Sequence, residues 1–316
     1  MKTKKYSIKW MVAVSALSAA AAAFPSGVFA GVGTTAAQFL KLSPTARGAA
    51  MADAQGASAD DVFAIYSNPA GLAAMEKAQL GASYITYFTD VNYGFVGYAD
   101  PDKSIGAVGI GLTYLVINKI ERYSINEVKG DDFNAGDMAL SFAWARRDAI
   151  PAVLENTSVG AALRLISSEI DQTAAYTASV DIGAIHRPVS DVAVAIAVQN
   201  ISPGLKFREV TDNLPLNIKV AGAYDVTEDA RLGLEINQYI IDAKFYAAVG
   251  GEYWLSERRL ALRLGYKYGY DTASLGPLVG ITGGLGFRIW GAGLDYAFVP
   301  FGDLGDTHRV TFSAKF

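Results

Sequence analysis

The stretch of sequence that decides the fold is Arg259-Leu260-Ala261-Leu262-Arg263-Leu264-Gly265-Tyr266-Lys267-Tyr268. Leucine or tyrosine occupies every second position, and the positions between them carry arginine, lysine or a small residue. Because successive side chains of a β-strand point to opposite faces, this pattern predicts a strand with one apolar face and one cationic face. Such a strand suits either a soluble sandwich, whose apolar face meets the core, or a membrane barrel, whose apolar face meets lipid.

The same alternation recurs from about Gln79 to the C-terminus. The segments are about ten residues long, the length that a tilted strand needs to cross the hydrocarbon layer. The predicted segments, about fourteen in all, are 79–88, 91–99, 104–118, 135–147, 156–170, 173–187, 191–200, 215–225, 230–241, 244–254, 258–270, 278–288, 289–299 and 307–316. An even number suits a bacterial barrel with both ends in the periplasm. Connections 119–134 and 201–214 are then extracellular, and 148–155 is predicted to form a small periplasmic helix.

Two further features favour the membrane barrel. Aromatic residues near segment ends suit the girdles that flank a lipid-facing band. They are Tyr98, Tyr224, Tyr239, Tyr253, Trp254, Tyr268, Tyr270 and Trp290. The last segment ends at Phe316, and a terminal strand of this kind resembles the signal that the barrel-assembly machinery reads in bacterial outer-membrane proteins. We therefore predict an all-β transmembrane antiparallel barrel of about fourteen strands, residues 79–316, in the outer membrane of a Gram-negative-type bacterium.

The N-terminus predicts export. Four lysines between Lys2 and Lys9 precede an apolar stretch from Met11 to Phe24. Val28-Phe29-Ala30 then supplies the short side chains that a signal peptidase reads, so we predict a signal peptide over residues 1–30 and cleavage before Gly31. The alternative is an N-terminal membrane anchor, but the apolar stretch is short and rich in alanine and serine.

The composition excludes several classes of protein. Hydrophobic residues make up 51% of the 316 residues, yet no apolar run after Ala30 approaches the ~18 residues that a spanning helix needs. Cysteine is absent, which excludes disulfides, thiolate metal sites and a lipid anchor on cysteine. The net charge of −4 gives no basic footprint for nucleic acid. We expect neither a metal nor a cofactor.

Residues 31–78 do not alternate, and a small Ala-rich piece of this size buries too little surface to fold alone. A barrel of fourteen strands has room for it, so we predict that it folds inside the lumen as a plug. Within it, Asn68 and Pro69 are a good N-cap and first helical residue, which predicts that Gly71 to Ala78 begins as a helical turn.

This segment carries a family resemblance. The block from Phe39 through Asp53, which includes Arg47, followed by Asn68-Pro69-Ala70, resembles the N-terminal hatch of FadL-like outer-membrane transporters, and looks most like their PorV/PorQ (UPF0164-like) branch. The resemblance in detail covers residues 33–78. Beyond them, only the architecture and length of the barrel match.

The resemblance implies a fourteen-stranded barrel with a plug and one of two roles. Resemblance to FadL-type members implies passive transport of small hydrophobic compounds, which leave sideways through a gap in the wall. Resemblance to PorV-type members implies a partner role in type IX protein secretion, as a cargo shuttle or scaffold for surface attachment. The outer loops of this chain are shorter than those with which FadL transporters capture fatty acids.

Inward-facing cations are candidate contacts for a ligand carboxylate or for the plug residues Asp53, Asp60 and Asp61. They are Arg164, Lys219, Arg263, Lys267 and Arg309. The alternative is an ordinary polar lumen in which these charges pair with one another and with water.

Gly106, Gly109 and Gly111 lie in one segment, and interior glycines mark bulges or close approach of the backbone. They are candidates for a lateral gate beside the plug, and the alternative is tight packing of plug against wall.

An enzyme is not expected. The chain has two histidines, His186 and His308, at opposite ends of the predicted barrel, about 25 Å apart. They cannot act as a pair, and neither position carries a nucleophile-elbow motif.

Overall fold

The computed structural model of the chain describes residues 34–87, 91–102, 104–149, 155–270, 272–302 and 305–316. The predicted signal peptide and its cleavage position lie outside these residues. No helix among them is long and apolar enough to cross a membrane.

Fourteen antiparallel strands close into one barrel. They are β1 (Gln79–Thr86), β2 (Val91–Asp102), β3 (Gly106–Ile120), β4 (Phe133–Arg147), β5 (Thr157–Ile170), β6 (Thr173–Val189), β7 (Val192–Ile201), β10 (Asn217–Asp225), β11 (Ala230–Tyr239), β12 (Lys244–Leu255), β13 (Leu260–Tyr268), β14 (Ile281–Ile289), β15 (Ala292–Pro300) and β16 (Asp306–Lys315). Closure is made by β1, which pairs with β2 on one side and with β16 on the other. The predicted barrel is confirmed, and each predicted segment overlaps one of its strands.

The two faces of β13 decide between sandwich and barrel. Leu262, Leu264 and Tyr266 are exposed, whereas Ala261 and Arg263 are buried. A soluble sandwich would bury the leucines and expose the arginine. The opposite arrangement, repeated round the wall, gives an outer surface of leucine, valine, isoleucine and aromatic side chains that suits acyl chains.

The connections define two ends of the barrel. One end carries the short turns and both ends of the barrel sequence, which is the periplasmic side in bacterial barrels; we call it the periplasmic mouth and the other end the outer mouth. The connection between β7 and β10 holds a small hairpin of β8 (Leu205–Phe207) and β9 (Val210–Asp212), which the sequence did not predict. A second unpredicted element, the short helix Thr272–Leu275, lies between β13 and β14. The helix predicted over 148–155 falls mostly outside the described residues.

The girdle prediction was wrong for three aromatic residues. Tyr98 is exposed on the outer face of β2 as expected, and Trp290 is exposed in the turn between β14 and β15. Tyr239 is buried, its ring meets that of Tyr246, and Tyr246 in turn meets Tyr270. The third exception is Trp254, whose indole N–H donates to inward-facing Glu252. Nearness to a strand end was the wrong criterion, because the face of a strand residue is set by its parity.

The N-terminal segment, residues 34–78, consists of short helices joined by turns. They are the 3₁₀ helix Gln38–Lys41, the helix Ala46–Ala50, the helix Ala64–Ser67 and the 3₁₀ helix Pro69–Ala74. These pieces pack against inward-facing residues of β2 to β6 and of β13 to β16, so the segment lies inside the barrel. Thr35 bonds to Asp242 at the outer mouth, and Ala70 packs on the start of β5 at the periplasmic mouth. The segment therefore runs the length of the lumen.

Candidate functional site

Arg47 is the main ionic anchor of the N-terminal segment. It lies in the helix Ala46–Ala50, which begins where the Thr45 side chain accepts a hydrogen bond from the Gly48 N–H, an ordinary N-cap. The Arg47 guanidinium contacts Asp60 at 2.7 Å and Asp61 at 3.5 Å within the segment. It also donates a bidentate pair of hydrogen bonds, at 3.0 and 3.1 Å, to the Glu252 carboxylate of the wall. One cation thus joins two turns of the segment to β12.

The pKa values of Arg47 and Asp60 are both shifted in the direction that favours the charged form. Burial lowers the pKa of Arg47, but the neighbouring carboxylates outweigh it and hold that pKa above its usual range. Burial raises the pKa of Asp60, and the guanidinium more than reverses this, so the pKa of Asp60 is lowered. The carboxylate and guanidinium are therefore both charged at neutral pH, and the contact is an ion pair.

Asn68-Pro69-Ala70 turns the segment against the wall. The Asn68 side-chain oxygen accepts from the Ala70 N–H, and its amide donates to the Gly56 carbonyl at 3.2 Å. The helix that follows is a 3₁₀ helix that begins at Pro69 and ends at Ala74, earlier than the predicted turn from Gly71 to Ala78. Gly160 lets the wall approach this closely: a Cβ there would lie 2.5 Å from the Pro69 carbonyl carbon and closer still to the Ala70 nitrogen.

Two of the predicted lumen cations pair with acids of the wall. Arg164 contacts Asp181 at 2.6 Å, and Lys219 contacts Glu235 at 3.2 Å. Each also donates to a carbonyl of the segment: Arg164 to that of Tyr66 and Lys219 to that of Ser67. The pair partners Asp181 and Glu235 were not singled out from the sequence.

A third predicted cation, Arg263, is enclosed between two carboxylates. It contacts Glu252 at 2.6 Å and Asp295 at 2.7 Å. Glu252 stands directly opposite Arg263 in the register of β12 and β13, so this pair follows from strand alignment alone. Because Glu252 also contacts Arg47, the wall pair and the segment anchor form one network.

The other two predicted cations contact the segment directly. Lys267 pairs with Asp53 at 2.7 Å, the contact with a plug acid that the sequence suggested. Partial burial raises the pKa of Asp53, but the Lys267 ammonium outweighs it and brings that pKa to about 2, so the carboxylate is ionised near neutral pH. Arg309 donates to the Ser43 carbonyl at 2.8 Å and to the Tyr87 hydroxyl. All five cations thus have protein partners, and their predicted role as ligand contacts stays a prediction.

The candidate gate glycines lie in a closed part of the wall. β3 pairs without interruption with β2 from Gly106 onward. A Cβ on Gly109 would lie 2.9 Å from the Ile65 side chain, and one on Gly111 would lie 2.8 Å from the Phe95 ring. The small size of Gly109 therefore allows the segment to pack on the wall, which was the alternative interpretation, and that of Gly111 leaves room for the Phe95 side chain of β2. An opening at these glycines stays a prediction.

The remaining residues singled out from the sequence are Phe316 at the C-terminus and the two histidines. Phe316 follows β16 and donates its N–H to the Ala78 carbonyl at 2.9 Å, beside the seam where the barrel closes. His186 contacts Thr157, and His308 contacts Tyr296. Among the described residues, no group of three histidine, aspartate or glutamate side chains is placed to hold a metal ion. The assembly role of Phe316 stays a prediction.

Comparison with known proteins agrees with this architecture. The FadL homologue of Pseudomonas aeruginosa has a TM-score of 0.58 at 13% identity, with 92% of this chain and 100% of that chain covered. The CymD monoaromatic hydrocarbon channel has a TM-score of 0.60 at 10% identity, with 86% and 97% covered. The Ralstonia pickettii toluene transporter TbuX has a TM-score of 0.58 at 12% identity, with 86% and 98% covered. Identities this low show a shared fold and no more.

Sequence comparison gives the family. No curated protein sequence matches the chain significantly. A family model described as type IX secretion system protein PorV matches residues 30–245, well over half of the 316 residues. The match spans the N-terminal segment and the barrel through the start of β12. The chain therefore belongs to the PorV family and is an outer-membrane barrel that shares its fold with the FadL homologue.

Proposed function

We propose that this protein acts in type IX protein secretion as a closed barrel that binds secretion-system or cargo proteins through its outer loops. The observation that carries the proposal is a contrast between the lumen and the loops. The lumen is occupied by the N-terminal segment and its paired charges, whereas the outer loop between β3 and β4 exposes apolar side chains. Membership of the PorV family supports the same role.

Among the described residues, the lumen offers a solute little room in its outer half. Two cavities in its outer half measure about 30 Å³ each. One is lined by Tyr66 and Lys219 among others, and the second by Tyr270 and Arg309. A volume of about 30 Å³ is the share of a single water molecule. In this proposal residues 31–78 are a plug that keeps the barrel closed.

The loop between β3 and β4 presents an apolar tip. Tyr123 and Lys129 form a bridge across its base, and Lys129 pairs with Glu121 at 2.6 Å. These contacts hold the loop as a hairpin above the outer mouth. At its tip Ile125 is 99% exposed and Val128 is 64% exposed. In this proposal the exposed apolar side chains of the tip are the contact site for a partner protein.

Replacing both tip residues, Ile125→Ser with Val128→Ser, should weaken partner binding. Burying a valine or isoleucine side chain contributes about 1.5–3 kcal/mol, so losing two should reduce affinity at least tenfold. The measurement is recovery of secretion-system and cargo proteins with the tagged barrel from outer membranes. Val226→Ser, at an exposed valine of a periplasmic turn, is the matched control. Undiminished recovery with the double variant would contradict this role of the loop.

The second candidate is passive transport of small hydrophobic compounds across the outer membrane. The shared fold with a toluene transporter and a monoaromatic hydrocarbon channel supports it. Gly109 and Gly111 would then mark the point where the wall opens beside the plug. Uptake of a labelled fatty acid into liposomes separates the candidates, with full-length protein compared with protein that lacks residues 31–78. Saturable uptake by the full-length protein would favour transport, and no uptake by either form would count against it.

A further inference from the structure

A cavity of about 240 Å³ opens at the periplasmic mouth between β4, β5 and β6. Its polar lining comes from Arg147, Asn156, Ser158, Arg187 and Ser190. Its apolar lining includes Ala70 of the Asn-Pro-Ala turn, together with Ala59, Ala74 and Ile185. The cavity is thus shared between the wall and the N-terminal segment. None of its residues takes part in the ion pairs described above.

The two arginines face the same space because of strand register. Arg147 stands opposite Ser158, and Ser158 stands opposite Ile185, so the three form one row across the wall. Arg187 lies two residues beyond Ile185 and therefore on the same face. With neighbouring strands about 4.8 Å apart and a rise of about 3.4 Å per residue, the two arginine Cα atoms are about 12 Å apart. Side chains as long as arginine can both reach a ligand between them.

Neither arginine is neutralised by a residue that the structure describes. Among the described residues, the guanidinium groups of Arg147 and Arg187 have no salt bridge, and no carboxylate lines the cavity. The lumen cations differ, since each of them contacts a carboxylate or a carbonyl of the protein. Two unpaired guanidinium groups facing one cavity attract an anion.

The larger cavity at the same mouth provides a contrast. It measures about 380 Å³ and also has arginines in its lining. Two of them are neutralised by its acids, since Asp60 contacts Arg47 and Asp295 contacts Arg288 at 2.8 Å, and Arg258 donates to the Glu228 carbonyl. The unpaired arginines are what distinguish the smaller cavity from this one.

We propose that the cavity between β4, β5 and β6 binds a small molecule that carries a phosphate or carboxylate group. The forked guanidinium groups of Arg147 and Arg187 match the oxygens of such an anion, and the Ser158 hydroxyl and Asn156 amide supply further donors. The alanines and Ile185 accept a compact apolar body beside the charged group. The volume suits an oxyanion with a ring or short chain attached. This site is independent of the secretion role proposed above.

Titration calorimetry on the full chain in an uncharged detergent tests the proposal. The probes are phenyl phosphate, benzoate, inorganic phosphate and neutral benzyl alcohol. We expect saturable binding of phenyl phosphate or benzoate, and the stronger of the two identifies the preferred charged group. Competition by inorganic phosphate would show that the free ion is also accepted. Benzyl alcohol that binds as well as the anions, or no saturable binding by any anion, would overturn the proposal.

Two variants test whether the anion binds in this cavity. Arg147→Gln and Arg187→Gln each keep a long polar side chain and remove the charge, and each should weaken anion binding about tenfold to a hundredfold. Arg259→Gln is the control, because Arg259 is an exposed arginine on a different periplasmic turn. Both cavity positions lie at the mouth, and retained heat-modifiable migration on gels verifies folding. Unchanged affinity in both cavity variants, or an equal loss in the control, would overturn the assignment.

Discussion

Arg47→Met should release the N-terminal segment from the barrel wall. The change removes the common cation of Asp60, Asp61 and Glu252. Asp60 is partly exposed and keeps a contact with Arg231 at 3.6 Å, but Glu252 is buried, and breaking a buried pair costs about 3–5 kcal/mol. Since Arg263 still neutralises part of Glu252, we expect the lower end of that range. A loss of about 3 kcal/mol raises the population of the released segment more than a hundredfold.

Two measurements follow the released segment. In planar bilayers the wild-type barrel should stay closed, and Arg47→Met should open conducting states. With an added protease, cleavage within residues 34–78 should be faster by a similar factor. Arg122→Met is the matched control, because Arg122 pairs with Asp171 on an exposed outer loop, where an ion pair contributes about 1 kcal/mol or less. Wild-type conductance and protection in Arg47→Met would show that the ion pairs do not hold the segment.

Gly160→Ala should displace the Asn-Pro-Ala turn. The added Cβ would lie 2.5 Å from the Pro69 carbonyl carbon, and backbone atoms cannot rotate away as a flexible side chain could. Overpacking of a buried contact typically costs about 1–3 kcal/mol, and we expect the upper end here because backbone must move. Hydrogen exchange of the amides in 64–74 should therefore become about a hundredfold faster, while amides of the barrel strands stay protected.

The control for this change is another glycine of the wall. Gly283 lies in β14, and a Cβ there would meet only the Arg263 carbonyl oxygen, at 3.8 Å, which is an ordinary contact. Gly283→Ala should leave exchange in 64–74 as it is in the wild type. If Gly160→Ala also leaves it unchanged, the close approach of turn and wall does not govern how the segment is held.

The barrel could be predicted from the sequence because its signal is local. In a segment such as that of β13, each residue's face follows from its parity, and lipid and lumen demand opposite chemistry. The β8–β9 hairpin was missed because three-residue strands are too short to show alternation. Tyr239 and Trp254 were assigned to the wrong face, although parity with Asn237 and Glu252 would have corrected both.

The lumen could be predicted only in part, because ion pairs depend on strand register and on where the segment sits. Arg263 and Lys267 were correctly placed on the inner face, and Asp53 was correctly suggested as a partner for such cations. Glu235 and Glu252 were not found, since nothing local indicates which strands their neighbours belong to. The role of Gly160 could not be predicted either, because it depends on a contact between positions about ninety residues apart in the chain.

The account depends most on the assignment of the two sides of the wall: acyl chains outside and the N-terminal segment inside. The chain has no cysteine, so single-cysteine variants carry one label each. Bimane fluorescence would be measured on Leu264→Cys and on Gln55→Cys after reconstitution with lipids that carry bromine on their acyl chains. We predict strong quenching at Leu264, on the outer face of β13, and none at Gln55, within the lumen. Equal quenching at the two positions, or quenching at Gln55 alone, would contradict the account.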